Sequence, residues 1–330
     1  MSQAQSAGQS HLGSTSPLPH PAKDQVYVRV SALNGGFLTL PERNFVTDPD
    51  PDKATTVPSM CFLIEHPRQD ASTPTRLVFD LGIKRDLTKY KQPATQHHIT
   101  TRQPVYSTAD VKSSLLNGGL DPSKDIDYVI LSHIHWDHIG LPSDYPEAKF
   151  IVGSGTLYIL ENGAPCYPLE RIERGSLPEH QVVELPPVPD SDRKHMAAAA
   201  QSDHQWQPLS VLPHAVDFFG DGSLWIVDAP GHIHGHVNAL LRVAADKWVY
   251  LGGDCCHDRR ILTGEKGILE YDNGHGTLKS SHAELSKARA TIKNVQKLIE
   301  TNGEAVEWVV AHDWKWCSGN QHRFFPNYMY

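Results

Sequence analysis

The chain has 330 residues, 39% of them hydrophobic and 21% charged, which is length enough for a sizeable core in an ordinary globular composition. Its net charge of -8 argues against nucleic acid or an anionic membrane as the main partner, and no stretch approaches the roughly 20 apolar residues of a membrane span. Five cysteines make a disulfide framework a poor expectation, whereas twenty histidines are about two to three times the usual share.

Residues 1–24, rich in Ser, Gln, Gly and Pro, read as a disordered tail without the apolar core of a secretory leader or the arginines of a transit peptide. A cytoplasmic protein folded over residues 25–330 is the expectation. Residues 26–30 read as a first strand, and 59–65 with 76–80 as a hairpin. Residues 84–106 are polar and aperiodic, as in a long functional or mobile loop. Thr108 can cap a short helix that has Val111 and Leu115 on one face and ends at Asn117-Gly118.

Residues 126–131 form a continuous apolar run suited to a strand buried on both faces, and it leads directly into Ser132-His133-Ile134-His135-Trp136-Asp137-His138. A short strand follows at 149–152. Residues 161–210 read as an irregular insertion, with 186–205 the segment expected to be disordered. Residues 224–228 form a strand ending at Pro230-Gly231-His232. A hairpin over 239–243 and 248–251, turning at Ala245-Asp246, ends at Gly252-Gly253-Asp254. The clearest helix spans 283–300, with Leu285, Ala288, Ile292, Val295 and Ile299 on one stripe and Ser281 with Glu284 as a capping box. A last strand over 307–310 leads to Ala311-His312-Asp313. This succession predicts layers of helix around sheet.

Four polar clusters therefore share one position, the end of a β-run, where layered α/β folds assemble their sites. In an extended segment His133 and His135 project to the same side and can reach one cation. Asp137 and His138, displaced by the following turn, can face a neighbouring one. Imidazole with carboxylate suits Zn, Fe or Mn, and the two oxygens of Asp254 suit a bridge. A lone His after a strand is ordinarily a loop residue. The H-x-H-x-D-H string, with G-H, G-G-D and A-H-D at later strand ends, is far more specific.

This string resembles the signature of the metallo-β-lactamase superfamily. Phe79-Asp80-Leu81-Gly82, Pro230-Gly231-His232-Ile233-His234-Gly235-His236, Gly253-Asp254 and Ala311-His312-Asp313 resemble the family's other motifs in the family's order. The resemblance implies an α/β fold, an αββα sandwich of two mixed sheets flanked by helices, with a site for two metals at one edge between the sheets. Zinc is the expected metal, with Fe or Mn open. By position, His133, His135 and His232 would hold the first ion, Asp137, His138 and His312 the second, and Asp254 would bridge. Asp80 and His236 would support these ligands through hydrogen bonds, while His234 receives no role.

Two metals sharing a water lower its pKa toward neutrality, and the resulting hydroxide would attack a carbonyl. Asp137 is placed to pass a proton to the leaving group. The complete motif with a bridging Asp is similar to acyl-homoserine lactonases and glyoxalase II. In the lactonases a Tyr stands three residues after the bridging Asp. Here His257 does, a candidate catalytic donor whose plain alternative is a surface loop histidine. Trp136, Tyr167 and Trp314 are candidates for an aromatic substrate wall, although aromatics are also ordinary core residues. Cys255 and Cys256 read as buried apolar residues.

The expected activity is opening of a small cyclic ester or cyclic amide, a small-molecule substrate, as in enzymes that detoxify natural-product rings. The alternatives are a thioester hydrolase of glyoxalase II type and a mononuclear iron oxidoreductase resembling persulfide dioxygenases. The oligomeric state is left open.

Overall fold

A computed structural model describes residues 16–68, 72–164, 167–189, 191–192, 202–272 and 278–330. Among the described residues, twelve strands form two six-stranded mixed sheets and four more form two two-stranded ones. The first runs in the order Arg29–Leu33, Cys61–His66, Thr75–Phe79, Tyr128–Ile130, Lys149–Val152, Val182–Glu184, with its first three strands antiparallel and the rest parallel. The second runs Val306–Val309, Lys247–Leu251, Val237–Ala244, Leu224–Asp228, Leu212–Asp217, Gln207–Leu209. Val306–Val309 joins it parallel to Lys247–Leu251.

Strand periodicity decides the layering. Phe62 and Ile64 face the second sheet, with Leu77 and Phe79 beside them, and meet Val237, Ala239 and Leu241 in one core. The intervening Cys61, Leu63 and Val78 face outward and are covered by Val111 and Leu115 of the helix Val111–Asn117. On the other side, Trp225, Leu240 and Tyr250 are covered by Ala288, Ile292, Val295 and Leu298 of the helix Leu285–Asn302. Each fully buried aliphatic or Phe side chain contributes about 1.5–3 kcal/mol. Helix, sheet, sheet and helix thus form the expected αββα sandwich.

Several local expectations differ from the fold. Asp110, not Thr108, caps Val111–Asn117 by accepting from the Ser113 N–H at 2.9 Å. The stretch 84–106 holds a helix, Pro93–Thr101, which buries only Thr95 and so carries no apolar stripe. Ser281 forms no capping box, because its Oγ has no hydrogen-bond partner and Glu284 itself is the N-cap. Within 161–210, Val182–Glu184 and Gln207–Leu209 supply an edge strand to each sheet, and the Trp206 indole donates to Pro186 O at 2.8 Å. Residues 190 and 193–201 lie outside the described ones.

Residues 1–15 of the expected tail are also outside the described set. From residue 16 the chain lies on the domain: Leu18 is buried and its N–H donates to Asn302 Oδ1 at 2.9 Å, and Arg242 donates to Pro19 O. Among the described residues, no helix is long and apolar enough to cross a membrane.

Candidate metal centre

Ends of strands from both sheets converge on one edge of the sandwich. Asp80, which follows Thr75–Phe79, has φ of 61°, a left-handed conformation uncommon outside glycine. Its Oδ1 accepts from Ser132 N–H at 2.7 Å, and its Oδ2 accepts from Ser132 Oγ at 2.6 Å. The same Oδ2 lies 2.8 Å from His138 Nδ1, which orients His138 Nε2 toward the centre. His312 is oriented in the same way, with Nδ1 2.8 Å from Pro58 O.

Two groups of donors result. Ligand atoms of His133, His135, His232 and Asp254 all lie within 4.8 Å of one another, as do those of Asp137, His138 and His312. His135 Nδ1 is 2.9 Å from His133 Nε2 and 2.8 Å from His232 Nε2. Asp254 spans the groups. Its Oδ2 lies 3.8 Å from His133 Nε2 and 3.4 Å from His232 Nε2. Its Oδ1 lies 3.3 Å from His138 Nε2 and 3.2 Å from His312 Nε2. Asp137 Oδ2 is 3.9 Å from His138 Nε2 and 3.7 Å from His312 Nε2.

These residues fit a metal. Among the described residues His135 Nε2 is buried without a hydrogen-bond partner, and His138 Nε2 and Asp254 Oδ1 face each other at 3.3 Å without closing a hydrogen bond; an unsatisfied buried atom costs about 1–3 kcal/mol. Cations would satisfy them together. Burial, with repulsion between neighbouring imidazoles, pushes His133, His135 and His232 well below the usual histidine range, leaving them neutral as ligation requires. Burial opposes charge on Asp254, yet His312, His138 and His257 hold its carboxyl well below the usual range. Burial likewise opposes charge on His138, but Asp254, Asp80 and Asp137 raise it well above the ordinary value.

The surrounding loops are fixed by backbone contacts. His236 Nε2 accepts the Asp254 N–H at 3.0 Å, and burial pushes its pKa down to about 3, so it serves as a neutral acceptor. The N–H groups of Ala283 and Glu284 donate to His232 O and Gly231 O, each at 2.9 Å. The start of the helix Leu285–Asn302 thereby clamps the His232 loop. Gly231 has φ of 127°, and a Cβ there would stand 2.1 Å from Ala288 N, so the clamp requires glycine.

His257 is part of this centre, its side chain turned inward, and not a surface loop histidine. Its Nε2 lies 3.3 Å from Asp254 Oδ2 with the side chain 7% exposed, and its ring stacks on His312 at 5.9 Å. A cavity of about 160 Å³ opens beside it, lined by Phe45, Val57, Arg259, His312 and Trp314 among others. Tyr167 stands with its ring 4.7 Å from that of His135, and its hydroxyl donates to Arg171 O at 3.1 Å. Trp136 differs from the expected aromatic wall: it is buried in a small core with Leu38, Ile83 and Tyr90, edge-on to Tyr90 at 5.5 Å. Cys255 and Cys256 are buried among apolar residues.

The larger cavity, about 380 Å³, lies behind the His232 loop and is lined by Asp228, His234 and Lys287 among others; none of the seven predicted ligands lines it. One residue of the centre escaped sequence reasoning. His282, 4% exposed, sits 5.1 Å from His232 and 5.2 Å from His257, ring to ring. Its local sequence carries no ligand motif.

Residues 119–252 match the model of the metallo-beta-lactamase superfamily, and gamma-lactamase MBL2 of Gibberella moniliformis is 30% identical over 187 residues, 55% of this chain and 70% of that protein. The chain belongs to the metallo-beta-lactamase superfamily. The metallo-hydrolase mfmC of Annulohypoxylon moriforme is 33% identical over 260 residues, covering 75% of this superfamily member and 63% of mfmC. The chain spans only 30% of another relative, the cytochrome P450 monooxygenase mpaDE of Penicillium roqueforti, at 30% identity over 278 residues. A solved N-acyl homoserine lactone hydrolase, with its product N-hexanoyl-L-homoserine at the catalytic metal center, superposes with a TM-score of 0.63 at 15% identity, over 92% of this chain and 100% of that one. At that identity the likeness is one of fold.

Proposed function

We propose that residues 25–330 form one catalytic unit, a metal-dependent hydrolase that opens a small cyclic ester or cyclic amide with two zinc ions. The observation that carries this reading is Asp254, whose two oxygens face separate clusters of imidazoles. The first ion would be held by His133, His135 and His232, the second by Asp137, His138 and His312, with Asp254 shared. Two such ions would supply Lewis acidity, able to draw the pKa of a bound water toward neutrality and to polarise a carbonyl.

The chain's own residues supply the rest. Asp80 and His236 fix the ligand-bearing loops from behind. Asp137, within 4 Å of both His138 and His312, takes the proton from the attacking water and passes it to the leaving oxygen or nitrogen. His257 borders the smaller cavity, where its imidazole would donate to the carbonyl oxygen as negative charge develops. Tyr167 and Trp314 flank the ring of the substrate. A gamma-lactamase among the relatives supports a cyclic amide as substrate, and this reading includes detoxification of a natural-product ring as the role.

The test is a hydrolysis screen of lactones, lactams, cyclic carbamates and thioesters with zinc-loaded protein. Ring opening is expected. Turnover confined to thioesters, or persulfide oxidation by an iron-containing preparation, would replace this reading.

A further inference from the structure

Beside the two expected metal positions, three histidines close a second triangle. His232, His257 and His282 each offer a ligand nitrogen within 4.8 Å of the others, and their ring centroids stand 4.9, 5.1 and 5.2 Å apart. His282 is 4% exposed, and among the described residues neither of its ring nitrogens has a hydrogen-bond partner. Nδ1 of His232 and Nδ1 of His257 are also buried and unpartnered. A buried imidazole ordinarily has a carbonyl, carboxylate or water on each nitrogen.

His282 is held in this position by its backbone. Its N–H donates to Ser280 Oγ at 3.0 Å, and Ser280 Oγ donates back to His282 O at 2.9 Å. The next residue, Ala283, donates to His232 O at 2.9 Å. The loop that carries His282 is therefore tied to the loop that carries His232, and the ring is fixed toward the other two.

We propose that His232, His257 and His282 form a third cation site, for a borderline divalent ion such as Zn²⁺, which shares His232 with the first cluster. Three imidazoles are a donor set suited to Zn²⁺. His232 would serve both clusters as an imidazolate, releasing its remaining N–H proton to solvent when the further ion binds, since Nε2 faces His135 and Asp254 while Nδ1 is buried without a partner among the described residues. The triangle has no carboxylate of its own; Asp254 Oδ2 reaches its edge, 3.3 Å from His257 Nε2. With less opposite charge and one ligand shared, this site fills after the two around Asp254, and its occupation loosens the hold of His232 on the first ion.

The experiment uses the whole chain, stripped with a chelator, reloaded with Zn²⁺ and titrated further by equilibrium dialysis, with Co²⁺ in parallel to report coordination by visible absorption. Wild-type protein is expected to take a further, weaker equivalent after its tightly bound metal, with a change in the Co²⁺ spectrum. His282→Ala and His282→Gln should keep the tight metal and bind the further ion at least about tenfold more weakly, while circular dichroism shows both folded. Wild type without the weaker class, or His282 variants that bind it unchanged, would overturn the third site. A wild type that held only the weak, His282-dependent ion would keep this site and remove the two-metal hydrolase reading instead.

Discussion

Asp254 and His257 are three residues apart and face the same imidazoles, but the loss of each has a different consequence. Asp254 is buried and meets His133, His138, His232 and His312 within 3.8 Å. Asp254→Ala takes away the carboxylate common to both clusters, so turnover and bound metal should fall together. His257→Ala removes a donor beside the substrate cavity and leaves the seven proposed ligands in place. A loss in kcat of about 10²–10³ is expected, as for removal of one oxyanion donor, with the tightly held metal unchanged. Parallel kcat and metal analysis checks both, and wild-type kcat in His257→Ala would take His257 out of the mechanism. The proposed ligands were legible because residue type and place at a strand end coincide, as at His133 after Tyr128–Ile130. His282 was not, because what brings it to the centre is a pair of backbone hydrogen bonds from a helix start to a distant loop. Trp136 misled for a related reason, since a place inside the motif does not reveal which way a ring points.

At the scale of elements, the helix Leu285–Asn302 both covers the second sheet and clamps the His232 loop. Gly231→Ala would set a Cβ 2.1 Å from Ala288 N at a φ of 127°, forcing loop and helix apart. A destabilisation of about 2 kcal/mol or more is expected, with activity falling further as His232 shifts; a denaturation midpoint equal to wild type would show the clamp unnecessary. Asp228, at the end of Leu224–Asp228, supplies a pH test. Burial pushes its carboxyl up to about 7, although Lys287 draws it down. Between pH about 4, the unfolded value, and about 7 the folded chain holds a proton that the unfolded chain releases, so stability falls as pH rises through this window. Asp228→Asn should therefore stabilise the fold more at pH 8 than at pH 5, by on the order of 1–3 kcal/mol at the higher pH, read as a larger rise in Tm there; equal shifts at both would show Asp228 ionising normally. Central strands were legible as apolar runs, and so was the long helix by its stripe. The helix Pro93–Thr101 and the edge strands Val182–Glu184 and Gln207–Leu209 were not, because each buries too few side chains to leave a period in the sequence.

At the scale of the molecule, the proposed ligands come from both halves of the sandwich. His133, His135, Asp137 and His138 follow a strand of the first sheet, whereas His232, Asp254 and His312 follow strands of the second. Ions bound between them would join the two sheets at the edge where the core of Phe62, Leu77, Ala239 and Leu241 gives way to polar groups. Without ions, that edge holds a buried carboxylate and several imidazoles whose nitrogens are unsatisfied. Metal removal should therefore weaken the whole fold and not the site alone. A ligand present at 100 times its Kd adds about 2.7 kcal/mol, which for a domain of this size corresponds to roughly 4 °C in Tm per ion. Chelator-treated protein should melt at least that much lower, in one transition shared by both sheets, and recover when Zn²⁺ is returned. If chelation releases metal while Tm stays fixed, the ions do not bridge the sheets, and the convergence of strand ends serves catalysis without contributing to stability.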